Sequence, residues 1–248
     1  MRILAASVLV GFMLTGPAST RETRFGQTQP TEAIIESAIF DLGSADAVVR
    51  ANAKKTLIQI GPAVKAKLVE ALKSQVENLN LVYTGPDRWE QTRFRGAQLY
   101  ELYDIVAKMR IEQAIPLLIS VAEESFDHGR RGCEPFVRAL VEIGPASVRP
   151  LVKSLGSARE IAERNKHRIH MDSQMRLVID VDSQIIQMRA ARALGDLGDV
   201  LALPVLERLY SEEKLGDYWM AIQLIKKKNG MKYERWPDKS EVEPFCAD

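Results

Sequence analysis

Cysteine is scarce in this chain of 248 residues, which holds only Cys133 and Cys246, and a disulfide-built scaffold would need far more. Glycine, at 15, and proline, at 11, are too few for a collagen-like or low-complexity chain. Neither sign of charge dominates: 34 Lys and Arg stand against 33 Asp and Glu, a formal +1. That balance argues against a dedicated nucleic-acid binder, because neutralising phosphates draws on a surplus of cations. Gly-rich phosphate loops and Gly-x-Ser-x-Gly elbows are both missing. What is there is apolar: 46% of the residues, ample for a core and too many for a disordered chain.

The N-terminus reads as an export signal. Met1-Arg2 supplies a positive start, Ile3–Leu14 an uncharged apolar run, and Gly16-Pro17-Ala18 the small residues of a cleavage site. A run of about twelve residues is short of the roughly 20 that span a bilayer, so no integral membrane span is expected once residues 1–18 are removed. The alternative reading of this stretch is a buried capping helix. The predicted location is periplasmic or secreted, and from Ser19 onward the chain carries 33 residues of each sign. Cys133, on a predicted helix, and Cys246, close to the C-terminus, are read as two free thiols.

Self-similarity organises the rest. Ile60–Leu72, Met109–Val121, Ile143–Leu155 and Leu197–Leu209 align without gaps. Extended backward, the alignment has five apolar columns. Ala53, Leu102, Phe136 and Ala190 form the first, and Leu57, Val106, Leu140 and Leu194 the second. Ile60, Met109, Ile143 and Leu197 form the third, Leu68, Leu117, Leu151 and Val205 the fourth, and Leu72, Val121, Leu155 and Leu209 the last. Steps of four and three residues, then of four, are the stripe of a 3.6-residue helix, so each unit is predicted to be a helix pair. At the corners stand Gly61-Pro62, Gly144-Pro145 and Gly198-Asp199. Gly suits the left-handed cap of the first helix, and Pro the first turn of the second, where its missing N–H would have had no partner. Glu32–Phe40, closed by Gly43, and Asp217–Lys228, with Tyr218, Ile222 and Ile225 on one face, are predicted to cover the two open ends.

These residues resemble the HEAT-repeat family. The likeness is clearest in 44–62, with Val49-Arg50 early in the first helix, and in 189–199; Pro116, Pro150 and Pro204 share one position of the second helix. The resemblance covers residues 31–213. It implies an all-α fold, a right-handed α-solenoid of about four HEAT-like helix pairs with capping helices. The predicted organisation is a signal peptide over 1–18, a linker over 19–30, the solenoid over 31–228 and a C-terminal tail over 229–248. Members of the family serve mainly as binding scaffolds. Those that hydroxylate a substrate hold iron with His-Glu dipeptides, of which this chain has none. A bilin-lyase role has no residue set to carry over.

Extra sequence enters after the second helix of unit one, over about 75–94, and of unit three, over about 156–180, so these insertions are expected on one edge as connectors. A basic strip there, with Arg93 and Arg95, is weakened by the count of nine cations against seven anions over 84–95, 122–131 and 157–170. Glu70, Lys153 and Glu207 occupy one polar column of the second helices. With Trp89, Arg93 and Arg95 they are the candidate partner-binding residues. Glu163, His167 and His170, at i, i+4 and i+7, would lie on one helix face as three ligands for Zn²⁺ or a similar ion; hydrated Arg164, Lys166 and Arg168 between them favour plain solvent exposure. The sequence therefore points to a non-catalytic protein–protein interaction scaffold of the envelope or secreted space, a monomer or weak oligomer without a cofactor, whose partner is another protein and not nucleic acid. The alternative is a metal-dependent enzyme or accessory factor built on Glu163, His167 and His170.

Overall fold

In the computed structural model the structure describes residues 32–77, 88–124, 134–165, 183–235 and 243–246. Among them all regular secondary structure is helical. The helices are α1 (Glu32–Asp41), α2 (Ala47–Ile60), α3 (Lys65–Glu77), α4 (Arg88–Lys108), α5 (Ile115–Glu124), α6 (Pro135–Ile143), α7 (Val148–Gly156), α8 (Ala158–Asn165), α9 (Ser183–Leu197), α10 (Leu203–Glu213) and α11 (Gly216–Lys228). Helix α2 starts where the Asp46 carboxylate accepts the Val48 N–H at 2.7 Å, meeting one of the donors a helix start leaves unpaired.

The helix pairs predicted from the columns are α2–α3, α4–α5, α6–α7 and α9–α10. First helices pack on first helices, α2 on α4, α4 on α6 and α6 on α9, while α3 packs on α5, α5 on α7 and α7 on α10. Helix α1 lies against α2, α3 and α4, and α11 against α9 and α10, so both predicted end helices form and cover an end. Fifteen of the twenty column residues are buried. The other five, Ile60, Met109, Leu197, Leu117 and Val205, are partly buried against the same continuous core. In the second and fourth pairs the fully buried side chain is one residue later than the column, Leu118 and Leu206.

The corners require a positive φ. Gly61 stands at φ 75° and ψ −139° and Gly144 at φ 99° and ψ −147°, outside the ordinary left-handed helical region and close to the one only glycine adopts without strain. Gly198 has φ 75°, and at the equivalent corner of the second pair Arg110 takes φ 47°. Pro116, Pro150 and Pro204 fall in the first turns of α5, α7 and α10, where no intrahelical N–H is lost. Gly43 has a different reason to be glycine. A Cβ built there would lie 2.4 Å from Cζ of Phe94, so the aromatic ring of α4 sits on bare backbone at the end of α1.

Two sequence readings are corrected. Residues 88–95 are not a connector: α4 runs unbroken for 21 residues from Arg88, so Arg93 and Arg95 are helix residues. Nor are there two free thiols. Cys246 is disulfide-bonded, and Cys133, the only other cysteine of the chain, precedes α6 and lies outside the described residues. The C-terminal cysteine is not on a loose end, because the main-chain N–H groups of Phe245 and Cys246 donate to the Asp196 carboxylate of α9 at 2.8 and 2.7 Å. Burial pushes the Asp196 carboxyl above its ordinary value, against the pull of those donors and of Lys228. Lys228 Nζ also donates to the Asp196 carbonyl, so α11 and the tail meet at the end of α9.

Candidate functional site

An open groove of about 1080 Å³ runs beside α1, the start of α2, the end of α3 and the first half of α4. The polar chain at its base explains how these elements hold their positions. Gln98 of α4, itself buried, donates to the Ile39 carbonyl at 2.8 Å, which satisfies one of the acceptors left over at the end of α1. Gln75 of α3 donates to Gln98 Oε1 at 2.5 Å, and Arg95 donates to the Gln75 side-chain oxygen at 3.0 Å and its main-chain oxygen at 3.3 Å. One run of hydrogen bonds thus ties α4 to α3 and α1.

The apolar part of the groove comes from α1 and α4. Phe40 and Phe94 stack tilted at 45° with centroids 5.0 Å apart. Phe40 keeps 65% of its surface exposed and Tyr100 48%, so two aromatic side chains face solvent along one cleft.

Arg50 supplies the third cation. Its guanidinium donates to the Ser44 carbonyl at 2.8 Å and the Ala45 carbonyl at 3.1 Å, and pairs with Glu101 at 3.3 Å. Behind it, Lys54 bridges Glu101 at 2.5 Å and Asp104 at 2.7 Å, and Lys108 reaches Asp104 at 2.9 Å. The described lining residues include Arg50, Arg93 and Arg95 and no Asp or Glu.

Of the six residues named from the sequence, Arg93 and Arg95 are brought together here. Trp89 is the second residue of the same helix; its side chain lies outside the described part. The polar column does not converge. Glu70 is exposed and stands 3.8 Å from Lys67, which also pairs with Glu32 at 2.6 Å. Lys153 borders a smaller hollow of about 580 Å³ between α5, α7 and α8, shared with Glu123, Glu160 and Arg164. Glu207 pairs with Lys226 of α11 at 2.9 Å. Equivalent positions in a repeat thus meet different neighbours, because each neighbour is set by the non-repeating helices.

Glu163 lies exposed on α8, as the helical reading of that segment requires, while His167 and His170 lie outside the described residues. Among the described residues no three His, Cys, Asp or Glu side chains stand together as ligands.

Sequence reasoning missed Phe40, Tyr100 and Gln75. Their single signal is that apolar Phe40 precedes a closing glycine; Tyr100 and Gln75 fall in no column. Arg50 was visible only as part of the Val-Arg pair of the repeat. Among the described residues no helix is long and apolar enough to cross a membrane.

The family model described as PBS lyase HEAT-like repeat matches residues 186–212, within the pair α9–α10. Comparison with curated proteins and with solved structures gives no match. The chain has HEAT-repeat character over that stretch.

Proposed function

We propose that the chain is a non-catalytic protein–protein interaction scaffold, exported to the periplasm or the medium and built as a right-handed α-solenoid of about four HEAT-like helix pairs with a capping helix at each end. The observation that carries this reading is the packing of like on like: first helices on first helices and second on second, with one apolar pattern in all four pairs. A stack of that kind is stabilised by neighbour contacts and offers a long accessible surface to a partner. The match over 186–212 supports extending the repeat description to the three pairs that share its columns, and HEAT-like families are generally non-catalytic.

Export has its own support. Residues 1–18 have the three parts of a secretory signal, and disulfides persist in oxidising compartments, which fits a disulfide at Cys246. The partner is another protein, because a formally balanced chain has no cation surplus for nucleic acid. The metal-dependent alternative has one described residue, Glu163, and nothing at that residue favours it.

Affinity capture from an envelope fraction, using protein lacking residues 1–18, tests the reading. A specific, stoichiometric protein partner supports it. Tightly held stoichiometric metal with no partner would replace it with the metal-dependent reading.

A further inference from the structure

We infer that the groove between α1, α2 and α4 takes an acidic segment of the partner protein, one that also carries an aromatic or long aliphatic anchor. This rests on the scaffold reading and adds which surface binds and what chemistry it selects.

Size gives the first argument. At about 1080 Å³ the groove exceeds the ~300–1,000 Å³ typical of small-molecule pockets. Its solvent-facing Phe40 and Tyr100 leave it open along one side, which suits a stretch of polypeptide better than an enclosed metabolite.

Charge gives the second. Three arginines and no carboxylate among the described lining residues make a cationic patch on a chain that is balanced as a whole. Arginine presents a planar fork of donors that matches a carboxylate bidentately. Arg93 is exposed on the outer side of α4, and Arg95 is held in place through the two oxygens of Gln75, which are neutral acceptors. An orienting bond to a neutral group fixes the guanidinium without itself cancelling the charge. A polyanion such as nucleic acid fits less well, since three cations beside exposed aromatic rings provide few phosphate contacts.

The third argument is pairing of residue type. Aromatic residues and arginine are the side chains enriched at the energetic centres of protein interfaces, and here Phe40, Phe94 and Tyr100 alternate with Arg50, Arg93 and Arg95 in one cleft. The floor is fixed beforehand by the Phe94 ring seated on Gly43 and by the Gln75–Gln98–Ile39 run of hydrogen bonds, so little ordering remains to oppose binding.

The probe is a fluorescein-labelled peptide of about a dozen residues in which Asp and Glu alternate with Phe and Leu, titrated by anisotropy against the protein in the form the cell produces. The expected result is binding about tenfold tighter than that of an analogue with Lys for the acids, or of one with Ser for Phe and Leu. Arg93→Glu and Phe40→Ala, both at exposed positions, should each weaken the probe by about tenfold with an unchanged thermal melt, while Arg208→Glu on α10 should leave it unaltered. Equal binding of the acidic and basic probes, unaltered binding by both groove variants, or no binding overturns the assignment.

Capture from the envelope fraction with Arg93→Glu separates this from the scaffold reading. If wild type and variant retain the same partner equally, the scaffold stands and the groove assignment falls. If the probe selects for acid and aromatic groups but no protein is captured, the groove stands and the scaffold reading falls.

Discussion

Arg189 of α9 and Glu134, the residue before α6, form an ion pair 3.2 Å apart with side chains 1% and 4% exposed. The same guanidinium donates to the Ala122 carbonyl in the last turns of α5 at 2.9 Å and lies over the Phe136 ring at 5.1 Å. One side chain therefore fastens the third and fourth helix pairs to the second. Removing one member of a buried pair leaves the other charge without its counter-ion and commonly costs about 3–5 kcal/mol. Arg189→Met should lower stability by about that much in urea unfolding, and adding Glu134→Gln should restore part of it. An unchanged midpoint for the single variant would show that the pair carries no stability.

The four corners give a second prediction, because the same turn is occupied by Gly61, Arg110, Gly144 and Gly198. Arg110 holds a positive φ, 47°, that glycine adopts freely. A non-glycine residue in the left-handed region is disfavoured by about 1–2 kcal/mol, and relief is partly offset by glycine's greater freedom in the unfolded chain. Arg110→Gly should stabilise by about 1 kcal/mol. Gly144→Ala, at φ 99° with nothing within 4 Å of the added Cβ, should destabilise through backbone strain alone, by about 1–2 kcal/mol. Thermal melts of the two variants moving in the same direction would contradict the corner assignment.

How much of this was legible in the sequence depends on whether a residue belongs to the repeat. Leu57, Leu140 and Leu194 were readable because a buried stripe must recur at helical spacing in every pair, and each is fully buried. Both end helices were readable for the same reason, as faces that close the stack. Arg110 was not, since a column of glycines broken by arginine does not reveal that the backbone keeps its shape. The groove was not readable either. It depends on contacts such as Phe94 on Gly43 and Gln98 on Ile39, between residues far apart in sequence and absent from the repeat pattern. The weighing of nine cations against seven anions failed for a related reason: charges counted along connectors are sorted by the fold, and Arg93 and Arg95 stand on a helix beside Arg50 of another.

Acid should loosen the contact between α2 and α4. Burial pushes the Asp104 carboxyl up, but the hydrogen bonds and charges of Lys54 and Lys108 outweigh it and hold it below the ordinary 3.8. A lowered carboxyl value means that the folded chain favours the ionised form, so this stability is present above the ordinary value and lost as pH falls through the native one. Burial likewise lowers Lys54, and its bonds to Asp104 and Glu101 reverse the sign, leaving it raised above 10.5. That contribution is present below pH 10.5 and is lost as pH rises through the raised value. Lys54→Met should therefore cost about 1 kcal/mol between pH 5 and 9, with a penalty that shrinks toward both extremes. Urea midpoints of wild type and variant compared across pH check this; a pH-independent difference would contradict it.

Gly43→Ala tests the floor of the groove. The added methyl has no space beneath Phe94, so the ring must shift and separate from Phe40, and overpacking of this kind typically costs about 1–3 kcal/mol. The expected outcome is a lower melting temperature together with weaker binding of the acidic, aromatic probe. Normal stability and normal binding would show that the ring does not need glycine beneath it.

Cross-linking mass spectrometry on the complex captured from an envelope fraction measures the central claim, a scaffold whose partner sits in the α1–α4 groove. With a cross-linker that reacts at carboxylates and lysines, the account predicts links from the partner to Lys73 and Glu77 of α3 and to Glu101 of α4, which flank the groove. It also predicts that Phe40→Ala and Arg93→Glu abolish those links while leaving the melt unchanged. Links confined to α8, α10 and α11, retained in both variants, would contradict it.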